Sequence, residues 1–267
     1  MTSLVFDKIR QKVSFFSKQL NFDKYKNKIG RKLAISIETT LSLALYKQTQ
    51  NIQTKKAIFN DFKNQLKCSY KTLVVNLNRW YFLALIILSI LLKTNRSNSH
   101  LIKHIDSTDI PVCLFKNAYS HKVMKGLSKY GRSSKGLFYG LKMHIISDLK
   151  KKLLSVKFTG GNVDDRSVVI TMTDSTEGIF IADAGYISSK LQREFYQEHK
   201  RILLVKPRSN MKKLMTHFEE RLYQTRMLVE INFRILKMFF GLLTSLPHSI
   251  DGYFANYTYA LLAYQIV

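Results

Sequence analysis

The hydrophobic pattern of this chain changes period once, near residue 100, and that change limits what it can fold into. Before it, apolar residues recur at helical spacing in segments near 4–19, 34–48, 54–66 and 70–93, with polar turns such as "QTQNIQ" between them. After it, short apolar runs alternate with helical stretches. "LIKHIDSTDIPVCLF", "GLFYGLKMHIISD" and "KLLSVKFTGGN" read as three strands that can pair as an antiparallel meander. A helix at "DDRSVVITMTDS", a strand at "GIFIADAGYIS", a helix at "SSKLQREFYQEHK", a strand at "RILLVKP" and a final helix follow. The reading is an all-α N-terminal region, 1–99, and an α/β domain, 100–267, whose mixed five-stranded sheet is flanked by helices. "KTNRSNSH" reads as the linker between them, and the Lys- and Arg-rich stretch 116–135 as a basic loop.

Charge then narrows the partners. Lys and Arg number 43 against 18 Asp and Glu, a formal charge of +25. That much self-repulsion calls for a polyanion, with nucleic acid first and an anionic membrane surface second. "WYFLALIILSILL", from Trp80 to Leu92, falls short of the ~20 residues that cross a bilayer, so it reads as a buried helix and no membrane role is expected. Residues 1–20 hold no continuous apolar signal-peptide core, so a cytoplasmic, nucleoid-associated protein is expected. Cys68 and Cys113 lack the spacing of a disulfide framework or a zinc site, and packing roles are expected. Ser69 suits the N-cap of a helix at "YKTLVVNLNRW", which leaves a helix-turn-helix reading open for this part of the chain.

Two acids sit where a buried strand wants apolar side chains. Asp106 follows Ile105 in the first strand, and Asp183 follows "IFIA" in the fourth. A buried carboxylate is costly unless it is paired or bound to metal. The element order lets these two strands lie side by side, so both acids can share one site. A third acid comes from the final helix. At about 100° per residue, Tyr223, Arg226, Glu230, Arg234 and Lys237 fall within roughly 80° of one another, a charged stripe on an otherwise apolar helix. The stripe is consistent with a solvated face laced by i,i+4 ion pairs, or with one turned toward the two strand acids. Oxygen-only donors suit Mg²⁺ or Mn²⁺.

"IDST", "ADAGY" and the spacing of Tyr223, Arg226, Glu230 and Lys237 resemble the DDE transposases of the insertion-sequence 4 group. "IDSTDIPVC", "FYGLKMH", "GGNVDD", "DAGYIS" and "RSNMK" resemble the insertion-sequence 982 family more closely, over residues of about 100–245. The resemblance implies a ribonuclease H-like core that binds two Mg²⁺, with Mn²⁺ able to substitute. It implies hydrolysis of the phosphodiester at an element's ends, and joining of the freed 3′ hydroxyl to target DNA. It makes Asp106, Asp183 and Glu230 the catalytic metal ligands, and Tyr223, Arg226 and Lys237 the DNA contacts. Arg234 lies outside the signature. Terminal inverted repeats and target DNA are the implied partners, in a synaptic complex of at least two copies.

Other polar residues have plainer readings. Asp109 belongs on the strand face opposite Asp106, His144 reads as a satisfied core histidine, and Asp164 and Asp165 as helix-start acids. Arg208, Asn210, Lys212 and Lys213 read as a solvated basic surface. The same three carboxylates would equally serve a nuclease that cuts without joining. A non-catalytic DNA-binding protein would need only the charge and the N-terminal helices.

Overall fold

The computed structural model describes residues 4–26, 32–198, 200–208 and 210–267. They form two compact units, residues 91–234 and, separately, residues 1–90 together with 235–267.

In the helical unit, α1 (Leu4–Gln19) and α2 (Ile37–Thr49) pack together, and α3 (Lys55–Asp61) and α4 (Tyr70–Arg79) pack on α2. Side-chain caps start three of these helices: Ser36, Thr54 and Ser69 accept the backbone N–H of Thr39, Ala57 and Thr72. The cap at Ser69 is where the sequence puts it. The segment expected as one helix over 70–93 is two, α4 and α5 (Tyr81–Ser97), separated at Trp80. By length and composition alone the stretch Tyr70–Ser97 could cross a membrane; 44% of its apolar window is buried inside the protein. The helix α10 (Ile250–Ile266), not assigned from the sequence, also belongs to this unit, although the sequence boundary at 99/100 would group it with the strands. The reason is its surface. It is buried on all sides, it packs on α2 and α4, and Tyr259 donates to the Leu77 carbonyl at 2.9 Å.

The other unit is built on six strands: β1 (Ile102–Pro111), β2 (Lys129–Ser133), β3 (Gly136–Asp148), β4 (Leu153–Gly160), β5 (Ile179–Ala182) and β6 (Ile202–Val205). β1 and β4 flank β3 antiparallel, β5 joins β1 in parallel, and β6 joins β5 in parallel. Three antiparallel strands followed by two parallel ones reached through helices make a ribonuclease H-like sheet. The sixth strand is β2, inside the stretch expected as a basic loop. It shares one edge of β3 with β4, pairing with residues 136–140 while β4 pairs with 141–147. Gly140 sits at the junction, where a Cβ would clash with the Ile110 carbonyl of β1.

The expected linker 93–100 is largely the last turn of α5, because Ser97 and Asn98 hydrogen-bond back to the Lys93 and Thr94 carbonyls and continue the helix. One sheet face carries Ile105, Ile146, Leu154, Phe180 and Leu203 against α6 (Val169–Thr173) and α7 (Ser189–Gln197). Phe180 and Phe195 meet edge to face at 5.3 Å, and each such buried side chain stabilises the fold by about 1.5–3 kcal/mol. The final helix expected from Tyr223 onward is also two, α8 (His217–Gln224) and α9 (Met227–Met238).

Candidate active site

Strand alternation puts Asp106 and Asp183 on one face. Ile105 on β1, and Phe180 and Ala182 on β5, enter the core against α6 and α7, so His104, Asp106, Ile181 and Asp183 face the other way. β1 and β5 are in register from Ile102↔Ile179 to His104↔Ile181. Carried two residues further, the same register sets Asp106 opposite Asp183 at the end of β5.

The α8–α9 corner brings the remaining groups to that face. Thr225 donates to the Leu222 carbonyl at 2.6 Å and meets His104 Nε2 at 2.8 Å, which ties the corner to β1. Arg226 follows at once. One of its terminal nitrogens lies 2.8 Å from Asp106 Oδ2 and the other 2.7 Å from Glu230 Oε1. Tyr223, on α8, donates to Asp183 Oδ1 at 3.2 Å, and the Ser107 N–H donates to Asp106 Oδ1 at 2.8 Å. The unit thus gathers Asp106, Asp183, Tyr223, Arg226 and Glu230. Lys237 lies further along α9, beyond the division between units, and Arg234 is exposed.

The electrostatics follow from burial. The Asp106 side chain is 18% exposed and that of Arg226 17%, whereas Glu230 is 58% exposed. Burial pushes the Asp106 carboxyl up to about 6; Arg226 and the Ser107 N–H pull against it, and Asp183 and Glu230 add to it. For Arg226, burial works against the charge, and the carboxylates of Asp106, Asp183 and Glu230 more than offset it, so the guanidinium stays charged. His104 is driven down to about 4 by burial and held neutral. The Tyr223 hydroxyl is raised, first by burial.

A cavity of about 730 Å³ opens beside these groups, lined by Lys206, Arg208, Lys213, Tyr223, Arg226 and Glu230 among others. Arg208 and Lys213 are exposed, as expected of a solvated basic surface, and they also line this cavity. Two residues escaped sequence reading. Lys206, whose ammonium lies 5.8 Å over the Tyr223 ring, had a signal in the basic residues that follow β6. His104 had none, since its partner Thr225 lies 121 positions away.

The plainer readings divide. Asp109 faces away from Asp106, opposite Lys142 of β3. His144 is buried, pairs through Nε2 with Thr159 Oγ1 at 2.8 Å, and lies across from Ser107, on the face away from Asp106. Asp164 caps the 3₁₀ turn that Asp165 opens, so both are helix-start acids; Asp164 also pairs with Arg166, and Asp165 receives Lys142 at 2.9 Å. Both cysteines are free thiols.

As oxygen donors, Asp106, Asp183 and Glu230 have the chemistry of a divalent-cation site. In this arrangement Arg226 lies between Asp106 and Glu230, and among the described residues no three acidic, thiol or imidazole groups surround one point.

No curated protein is similar enough to the chain to match it. Among solved structures, the crystal structure of the Mos1 mariner paired end complex with Mn aligns at 13% identity over 96% of this chain and 84% of that one. Its TM-score is 0.27, a likeness too low to bear on fold or function. The family model described as a transposase DDE domain matches residues 96–246, more than half of the chain, and spans all five gathered residues. The chain therefore belongs to the DDE transposase family.

Proposed function

We propose that this DNA transposase serves an insertion sequence of the 982 family, cleaving phosphodiesters at the element's ends and joining the freed 3′ hydroxyls to target DNA. The observation that carries the reading is the meeting of Arg226 with two carboxylates from distant parts of the chain, Asp106 and Glu230, beside a basic cavity. Asp106, Asp183 and Glu230 would hold two divalent ions, Mg²⁺ or Mn²⁺. Bound there, the ions supply activation of a water or a 3′ hydroxyl and stabilisation of the leaving oxygen.

The other side chains have their own tasks. Arg226 orients Asp106 and Glu230 with a planar fork that also suits a phosphate. Tyr223, donating to Asp183, fixes that carboxylate and lies with Lys206 on the cavity wall, where a DNA strand would run. Neutral His104 braces the α8–α9 corner through Thr225, which keeps Arg226 and Glu230 in step with β1. Lys237 extends the phosphate contacts along α9. Two ends held together call for at least a dimer.

The test is cleavage and joining of labelled DNA carrying the element's own ends, with Mg²⁺, Mn²⁺ or EDTA, by wild type and Glu230→Gln. Metal-dependent nicking with joined products, both lost in a folded Glu230→Gln protein, supports the reading. Nicking without joining replaces it with a nuclease, and tight DNA binding with equal silence from both proteins replaces it with a binding protein.

A further inference from the structure

The helical unit holds a cavity of about 460 Å³ whose walls include Lys47, Lys55, Lys56, Tyr70, Asn78 and His248. Among the described residues, its lining contains no carboxylate. Lys47 and Lys55 form no ion pair with any acid among the described residues, and the side chains they donate to are neutral. Lys47 donates to Gln48 Oε1 at 3.1 Å and Lys55 to Asn78 Oδ1 at 2.5 Å. Lys56 stands over the rings of Phe59 and Tyr70 at 5.3 and 4.9 Å. An ammonium has three donors, so each of the first two keeps N–H groups for another acceptor.

Further hydrogen bonds that do not involve the lysines also hold this region in place. Gln48 donates to the Asn256 carbonyl and side chain at 3.0 Å, Asn256 donates to the Gly241 carbonyl at 2.9 Å, and Asn51 donates to the Met238 carbonyl at 2.8 Å. α3 and α10 both begin at the rim, capped by Thr54 and Ser249. Burial lowers Lys47 and Lys55 to about 8, and for Lys47 the charge of Lys55 adds to it. Two half-buried like charges with no anion between them are a standing cost to the fold, one that a bound anion removes.

We propose that this cavity takes a backbone phosphate of duplex DNA, held by Lys47 and Lys55 with Lys56 at its mouth. The inference rests on the transposase reading for the identity of the anion, and the chain's +25 charge agrees with it. Ammonium groups suit a phosphate as point charges, and neutral amide partners leave their charge uncompensated.

The experiment is fluorescence anisotropy of a labelled duplex with the full chain over a range of NaCl, comparing wild type, Lys47→Gln/Lys55→Gln and Lys47→Arg/Lys55→Arg. A control, Lys8→Gln/Lys18→Gln, removes the same charge from exposed positions on α1. Melting of the Gln pair at or above wild type shows that it folds. Loss of one phosphate contact makes the slope of log affinity against log salt shallower by about 0.9. That change in the Gln pair, restored in the Arg pair and absent from the control, is the expected result. A Gln pair that binds like the control overturns the proposal. In a second arm, ¹³C-dimethylated wild type is titrated with duplex and, at matched ionic strength, with inorganic phosphate. Lys47 and Lys55 signals that respond to phosphate but not to duplex overturn the DNA assignment in favour of a small phosphate ligand. Failure here leaves metal-dependent cleavage, and its loss in Glu230→Gln, untouched.

Discussion

Arg226 places one guanidinium nitrogen 2.8 Å from Asp106, a residue 120 positions earlier in the chain. Both side chains are largely shielded from water, so the pair binds the α8–α9 corner to β1 more firmly than a surface ion pair would. The second nitrogen reaches Glu230, which is mostly exposed and adds little to stability. The arrangement therefore serves geometry more than stability, holding two carboxylates at a fixed separation.

Arg226→Ala leaves Asp106 half-buried without its cation. The expected cost at pH 7 is about 1–3 kcal/mol, and Arg226→Lys recovers part of it, because one ammonium cannot meet both carboxylates as the fork does. The deficit of the Ala variant should shrink as pH falls toward about 6 and be small below it, because Asp106, without the Arg226 charge that holds its carboxyl down, takes up a proton at higher pH in the variant than in wild type. Thermal unfolding at pH 7 and pH 5 checks this; a deficit that is the same at both values rules out the Asp106 pairing as its source.

Gly178 bears on the same site from the start of β5. Its φ is +107°, and a Cβ there would clash with the Leu101 carbonyl just before β1. Gly178→Ala should cost about 2 kcal/mol or more. It should also shift β5 against β1, so that Asp183 loses its place across from Asp106. The expected outcome is a lower melting temperature together with cleavage reduced beyond what residual folding explains. Full specific activity per folded molecule would show that the β1–β5 register does not control the site.

Asp106 and Asp183 were legible because each interrupts an apolar strand run, and their closeness was legible because the element order sets β1 beside β5. The α8–α9 break was not. No Gly or Pro marks it; Thr225 makes the corner through its bonds to Leu222 and to His104, and the second of these exists only in the folded chain. β2 was hidden for a different reason. "KYGRS" has no apolar alternation, and it becomes a strand by pairing its backbone along the free part of the β3 edge. The linker was misread because polar composition stood in for a loop, while Ser97 and Asn98 use their side chains to extend α5. In α10, apolar residues on all sides left no period to read.

Asp106→Asn tests whether the acid is kept for the fold or for chemistry. Burial is the largest influence on this carboxyl and disfavours its charge, so the neutral isostere should leave stability within about 1 kcal/mol of wild type at pH 7. Cleavage of end-bearing DNA should fall by at least about 10²-fold, the loss that the proposed role of Asp106 as a cation ligand requires. Calorimetry beside the nicking assay separates the two, and a variant that unfolds early would assign Asp106 to the fold instead.

His144 should make the strand unit sensitive to acid. Burial drives its imidazole down to about 4; Asp165 pulls the other way, and Lys142 and Lys157 add to the depression. The folded protein thus refuses a proton that the unfolded chain accepts near 6.5. The stability contributed is fully present above about 6.5 and is lost as pH falls from there toward 4. The size is on the order of 3 kcal/mol. His104 is depressed to a similar value and acts in the same window. His144→Gln keeps an amide that can reach Thr159 and cannot titrate, so it should remove roughly half of the acid sensitivity that the two histidines contribute. Unfolding followed by circular dichroism at pH 7.0, 5.5 and 4.5 reads this directly, and an acid slope unchanged in His144→Gln would mean that the imidazole takes up its proton as readily in the folded chain as in the unfolded one.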